Sequence, residues 1–363
     1  MTDFSPQRLH RLADERHTLS PPEVVALLRA QDHDLMALYA AADALRREKV
    51  GDNVFLRGII EFSNYCRNDC AYCGIRAGNQ AVSRYRMPPE EIITRAEHAD
   101  RWGCTSVVLQ SGEDPWFTTP RLCEIIAGIK RRSAVAVTIS VGIRSPEEIR
   151  ELRAAGCARC LIRFETSDQE LFARIHPDET FERRIQCLHD FRAAGFQTGS
   201  GFMIGLPDAP LETLAADILY ATRLDLDMIG CGPFIAHADT PLAGTPLLAD
   251  REIYFKTIAI MRLLNPLVHL PATTAFDALV RGGRDRLLQM GCNVFMPNLT
   301  PGQYRAQYQL YPGKPCLDED GAACAACVMK RVEKLGRLIG RSPGHSFKPA
   351  NLSHPAPDDD LGL

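Results

Sequence analysis

The chain has 363 residues, with 42 basic and 45 acidic side chains and a formal net charge of -3. That length allows one large α/β barrel or two domains, and a near-balanced charge gives no footing for nucleic acid or an anionic membrane. The composition is that of a soluble globular protein; no signal-peptide core or spanning stretch is present, so a cytoplasmic location is expected.

The first fifty residues read as a helical extension. Ser20 caps the run that starts at Pro21, and "DHDLMALYAAADALRREKVG" stops at Gly51. A rhythm of short β-branched or apolar runs follows, at 54–63, 106–112, 135–142, 159–166, 197–205, 228–236, 269–275 and 292–299. Amphipathic stretches of helical period lie between them, several ending at a glycine (Gly103, Gly156, Gly195, Gly291). Strands alternating with helices imply a parallel sheet, and eight units imply closure as a complete (β/α)8 barrel. A doubly wound open sheet is the alternative, but no GxGxxG follows the first strand. The barrel is assigned to 51–345, including a cysteine-bearing loop and helix at 300–340. The Pro-, His- and Asp-rich end, from Ser342 and in particular 346–363, is expected to be a flexible tail.

Six of the 13 cysteines fall into two groups. Cys66, Cys70 and Cys73 follow the first strand, at the barrel mouth where such folds do chemistry. Unpaired buried thiols are the bland reading, but the loop is polar and the repeat compact. Zinc would want a fourth ligand, and the nearest histidine in sequence is His98. An iron–sulfur cluster held by three thiolates leaves one iron open. Cys316, Cys324 and Cys327 follow the last strand and again suggest a metal, against a reading as cysteines without one. The remaining seven, Cys104, Cys157 and Cys160 among them, read as small apolar residues.

Arg163 and Glu165, two apart on strand four, share a face, and a charged pair inside a helix-covered barrel strand is not solvated surface. On strands five and six, Gly199, Gly201 and Gly205, then Gly230 and Gly232, repeat on one parity. They either leave a cavity in the barrel or serve close packing.

The spacing CxxxCxxC with Tyr72 before the last cysteine resembles the radical S-adenosylmethionine (SAM) superfamily. The resemblance implies a [4Fe-4S] cluster whose open iron is chelated by SAM and whose electron yields a 5′-deoxyadenosyl radical. It also implies that the segment Gln110, Ser111, Gly112 and Glu113 contacts the methionyl group. Ser140, Arg163, Glu165 and Arg184 would complete SAM recognition. Longer blocks, among them "RGIIEFSNYCRNDCAYCGIR", "VVLQSGEDP", "GPFIAHADTPLA", "MPNLTPGQYRAQYQLYPGKPC" and "CVMK", are similar to the [FeFe]-hydrogenase maturase family HydE, over roughly residues 20 to 340. That family is related to biotin synthase and methylornithine synthase.

By resemblance the substrate is an organometallic iron–cysteine complex carrying carbon monoxide and cyanide, on the way to the di-iron subcluster, with the radical adding to sulfur. Thr273, Thr274, Tyr308 and Tyr311 would face it. Cys316, Cys324 and Cys327 would hold an auxiliary [2Fe-2S] or [4Fe-4S] cluster. Ferredoxin or flavodoxin would donate electrons, and other hydrogenase maturases would be partners. Two positions depart from the family: Phe164 stands for an expected histidine and Leu299 for a tryptophan, both anticipated to tune the cavity. A methylornithine synthase-like mutase with an amino-acid-derived substrate, or a non-catalytic iron–sulfur carrier, are the competing readings.

Overall fold

The computed structural model describes residues 4–16, 18–317 and 319–349. Eight parallel strands form the barrel: β1 (Asn53–Ser63), β2 (Ser106–Ser111), β3 (Ala136–Ser140), β4 (Arg159–Leu161), β5 (Gln197–Ser200), β6 (Met228–Ile229), β7 (Pro271–Ala272) and β8 (Val294–Phe295). The sheet runs in chain order from β1 to β6, while β1 pairs with β8 and β8 with β7. Its two ends meet through a parallel bridge between Met228 and His269, so the barrel closes.

Alternation along β1 sorts side chains between barrel and helix layer. Val54, Leu56, Ile60 and Phe62 point to the helices; Phe62 packs edge-on against Phe117 at 4.6 Å. Arg57 and Glu61 point inward, and Arg57 crosses the barrel floor to Met228 Sδ at 3.1 Å. The β1–β2 register shifts between Glu61 and Ser63. That irregularity, at the strand's mouth end, redirects the chain into the cysteine loop.

The helices follow local rules. The helix Pro146–Ala154 starts at a reciprocal capping box, Ser145 with Glu148, and buries Ile149 and Leu152. Ser20 and Glu23 make the same box at Pro21–Leu28. Helices Pro6–Glu15, Pro21–Leu28 and Asp32–Val50 pack against Glu252–Leu264 and Leu211–Arg223, on the outer side of the barrel.

The described part of the C-terminal end is not a loose tail. Arg57 donates to Gly344 O (3.0 Å) and Arg159 to Pro343 O (2.9 Å), while Phe347 packs on Phe55 and His269. The floor arginines need acceptors once buried, and this segment supplies them. Residues 342–349 therefore seal the N-terminal end of the barrel; the rest of the expected tail, 350–363, lies outside the described residues. No described helix is long and apolar enough to cross a membrane.

Candidate active site at the barrel mouth

The loop after β1 carries Cys66, Cys70 and Cys73, and backbone contacts from distant segments shape it. Ala71 N–H donates to Ile175 O (2.9 Å), Gly74 N–H to Leu310 O (3.0 Å), and Tyr72 O accepts from His237 N–H (3.0 Å). The Arg84 guanidinium donates to four carbonyls of this loop, those of Asn64, Ile75, Arg76 and Asn79. A side chain on Gly74 would meet Gln309 O at 2.1 Å, so the segment after β8 lies directly over the loop. Gly112 likewise lets the end of β2 press on the loop, where a Cβ would meet Tyr65 O at 2.3 Å.

Burial pushes all three thiols up, Cys73 to about 12, so any metal bound here at neutral pH displaces their protons. Two sulfurs on one zinc ion can be at most about 4.6 Å apart. Among the described residues, the only group with ligand atoms all within 4.8 Å of one another is elsewhere. The three thiols are thus too spread, as they stand, to close together on a single zinc ion. They act on one another electrostatically, and Glu165 adds to the upward shift of Cys70 and Cys73.

His176 was not anticipated. Although the nearest histidine along the chain is His98, His176 arrives from another unit. Its Nδ1 lies 3.2 Å from Cys70 Sγ and its Nε2 3.1 Å from the Tyr72 hydroxyl, with its ring stacked on Phe172. Burial and the nearby Arg184 and Arg163 push it down to about 3, so it is a neutral hydrogen-bonding partner. Nothing in "RIHPDET" distinguishes it from a core histidine.

The polar residues expected at the strand ends converge on the same mouth. Gln110 and Ser140 are register partners on β2 and β3, and Gln110 Nε2 reaches the Tyr308 hydroxyl at 3.3 Å. Ser111 Oγ turns back to its neighbour's carbonyl, Gly112 O, at 2.6 Å. Glu113 is ion-paired with Arg67 at 2.9 Å and folds over Gly142, where a Cβ would sit 2.1 Å from its Cγ. Arg184 is clamped by Glu179 and donates to Arg163 O at 2.9 Å.

Arg163 and Glu165 are 3.1 Å apart, yet Glu165 Oε2 and Arg163 Nε are buried without a hydrogen bond. Buried polar atoms normally have hydrogen-bond partners, so both groups keep unused capacity for one beyond their ion pair. Glu165 also has a left-handed backbone (φ 65), a conformation that costs a non-glycine residue about 1–3 kcal/mol.

The turn after Glu165 hangs on Asp217, whose Oδ1 accepts from Ser167 N (2.5 Å), Ser167 Oγ (2.7 Å) and Thr166 Oγ1 (3.2 Å). Burial pushes Asp217 up to about 7 from its ordinary 3.8. The folded state then holds a proton that the unfolded chain releases, so this group's contribution to stability falls as pH rises from about 4 to 7. Asp217→Asn is expected to remove that decline: urea midpoints at pH 5 and pH 8 should lie closer together than in the parent.

Thr273 donates to Cys231 O (3.1 Å) and borders Gly232; Thr274 begins the helix Ala275–Leu279. Tyr308 is fully buried, and Tyr311 is pushed up by burial and by Glu61. The glycine parity serves packing at several positions: a Cβ on Gly201 would meet Gly230 O at 1.9 Å, and one on Gly199 would meet Cys160 O at 3.0 Å.

The second cysteine group is only partly gathered. Cys316, Glu319 and Cys324 bring their ligand atoms within 4.8 Å of one another. Cys327, three residues further along the helix Gly321–Lys334, is exposed and stands outside that group. Cys316 holds a left-handed backbone (φ 62), and Cys324 Sγ accepts from Asn298 N–H at 3.3 Å.

The radical SAM superfamily model matches residues 60–221, which span the cysteine loop and the Arg163–Glu165 strand end. The chain is 46% identical to the [FeFe] hydrogenase maturase subunit HydE of Thermotoga maritima over 308 residues, 85% of this chain and 88% of the relative. The chain belongs to the HydE family of radical SAM enzymes. It is also 28% identical to the 3-methylornithine synthase of Methanosarcina acetivorans, over 89% of this chain and 91% of that one. The crystal structure of methylornithine synthase (PylB) superposes with a TM-score of 0.79 at 25% identity, covering 91% of this chain and 97% of that one. Membership of the superfamily implies a [4Fe-4S] cluster and SAM, and the three thiols and the Glu165 and Arg163 atoms without hydrogen bonds are compatible with both.

Neither departure from the HydE pattern lines the mouth. Phe164 packs outward on Phe202 (5.7 Å) and Tyr220 (5.2 Å). Leu299 fills the space left by Gly58, where a Cβ would lie 2.2 Å from its Cδ1. Phe164 lies just beyond β4 and Leu299 beyond β8, and packing on apolar neighbours claims both, which corrects the expectation that they tune the cavity.

Proposed function

We propose that this enzyme cleaves SAM reductively and acts in assembly of the di-iron subcluster of [FeFe]-hydrogenase, on an iron–cysteine precursor carrying carbon monoxide and cyanide. The cluster, when bound, supplies the electron that splits the C5′–S bond of SAM into methionine and a 5′-deoxyadenosyl radical. Cys66, Cys70 and Cys73 hold it, with Arg84 and His176 fixing the loop. Glu165 and Arg163 take the polar atoms of SAM, and Glu113, Gln110, Ser111, Gly112, Ser140, Arg184 and Tyr72 complete its pocket. Tyr308 and Tyr311 cover the mouth, and Thr273 and Thr274 hydrogen-bond the substrate, excluding water from the radical.

The observation that carries this reading is the juxtaposition, at one mouth, of three thiols too spread for one ion and a buried carboxylate–guanidinium pair with unpartnered atoms. Identity of 46% to the HydE relative, against 28% to a methylornithine synthase, favours the maturase over a carbon-skeleton mutase. The C-terminal cysteines hold an auxiliary iron–sulfur centre. A reduced ferredoxin or flavodoxin supplies electrons, other maturases exchange the substrate, and the setting is the cytoplasm.

The test is anaerobic reconstitution with iron and sulfide, reduction, addition of SAM and assay of 5′-deoxyadenosine, with the electron paramagnetic resonance spectrum of the cluster recorded before and after SAM. Product and a SAM-dependent spectrum are expected, with turnover stimulated by the iron–cysteine complex. A spectrum indifferent to SAM, with no product, would identify an iron–sulfur carrier instead. Formation of methylornithine from an amino-acid precursor would identify the mutase.

A further inference from the structure

The C-terminal centre has a candidate ligand that its cysteine spacing does not reveal. Glu319 stands between Cys316 and the helix Gly321–Lys334, and its carboxylate lies within 4.8 Å of both Cys316 Sγ and Cys324 Sγ. One of its oxygens, Oε2, is buried and has no hydrogen-bond partner. An acid beside two thiols is repelled unless a cation sits among them, and a buried carboxylate oxygen ordinarily has a partner. The three ligand atoms already converge without an ion to gather them, and Cys324 Sγ is held there by the Asn298 N–H at 3.3 Å. Cys327 lies one helical turn beyond Cys324 on the same helix, which makes it a neighbour of that group.

We infer that Glu319 is a metal ligand, the fourth member of a closed set with Cys316, Cys324 and Cys327 that binds a thiophilic metal centre. The inference rests on the proposal that these cysteines hold a metal. It gives the two centres opposite designs. The mouth keeps three protein ligands and an open position, whereas the C-terminal set is complete, the arrangement of a site that stores or stabilises. A carboxylate is a harder ligand than a thiolate and binds soft metals less firmly, so the fourth position is the one that yields first to a chelator. The set can close on one zinc or ferrous ion, or hold a small iron–sulfur cluster; the ligand chemistry is shared.

The experiment uses the full chain with Cys66, Cys70 and Cys73 all changed to serine, so that bound metal reports only on the C-terminal site. It is loaded anaerobically with zinc alone, or with iron and sulfide, and the metal retained against a chelator is followed by elemental analysis, absorption spectra separating an ion from a cluster. Glu319→Gln is expected to lose metal at least about tenfold faster, Glu319→Cys to retain it at least as well, and Cys324→Ser to lose it. Unchanged retention in Glu319→Gln, with loss in Cys324→Ser, would overturn the role of Glu319 while the C-terminal metal site stands. Failure of the parent to retain either metal would overturn the site itself. Circular dichroism checks folding. If the triple variant does not fold, the same retention is measured with the mouth cysteines intact, as the difference between each variant and Cys324→Ser.

Discussion

Changing Cys70 to alanine is expected to lower 5′-deoxyadenosine formation by at least about a thousandfold, and Cys66→Ala and Cys73→Ala should do the same. On the proposed function the three thiols would hold the cluster between them, so losing one would unseat the centre to which SAM binds. Groups that act as a unit are strongly non-additive, so double and triple replacements should be no worse than single ones. Cys70 is the most deeply set, with His176 Nδ1 at 3.2 Å and the Ala71–Ile175 backbone bond beside it. Its loss therefore also leaves a buried imidazole without one partner. In contrast, Cys324→Ser should leave cleavage within about threefold of the parent, since Cys324 Sγ bonds the backbone of Asn298 and not the cysteine loop. Full cleavage by all three mouth variants would remove the basis of the radical SAM assignment for this site.

The second large effect concerns the cover over the mouth. Lys314 donates to both carboxylate oxygens of Glu61, at 2.6 and 2.7 Å, and to Tyr308 O at 2.9 Å. The two side chains are 8% and 5% exposed, and Asn298 Nδ2 also donates to Glu61 at 3.0 Å. This pair ties the segment that covers the cysteine loop to the inner wall of β1. Removing one partner of a buried pair strands the other charge, so Lys314→Met should destabilise the fold by about 3–5 kcal/mol. Lys314→Met with Glu61→Gln should recover roughly 2 kcal/mol or more of that loss, because no buried charge is then left alone and Asn298 keeps an acceptor. Urea unfolding of the parent, both single variants and the double closes the cycle. Simple additivity of the two single losses would show that Lys314 and Glu61 do not act as a pair.

Both predictions combine a motif legible in the sequence with partners that are not. The cysteine spacing, the alternation of Arg163 and Glu165, and the eight-unit rhythm are local patterns. Periodicity of two or of 3.6 residues survives in any one segment, so the barrel, the capped helix at Ser20 and the two cysteine groups could all be read in advance. His176, Arg84, Asp217 and Lys314 could not. Each is an ordinary-looking residue in its own segment, and its role lies in an atom from another βα unit: Cys70 for His176, Ser167 for Asp217, Glu61 for Lys314.

The departures at Phe164 and Leu299 show the same limit from the other side. Their positions in the motifs suggested the cavity, but which neighbours they meet depends on tertiary packing, which pairs Arg163 with Glu165 and sets Phe164 on Tyr220. Residues 342–349 differ from a mobile tail for a related reason: Arg57 and Arg159 on the barrel floor need carbonyls, and Gly344 and Pro343 supply them.

The order of residues along this chain thus determined by itself the α/β class, the barrel and the chemical character of its mouth, because those rest on spacing within a single segment. Tertiary structure alone decided which polar atoms remain without partners, which of the C-terminal cysteines gather with Glu319, and what closes the barrel at each end. These depend on distances between segments up to almost three hundred residues apart, Arg57 and Gly344 among them, and closure of the barrel sets all of those distances at once.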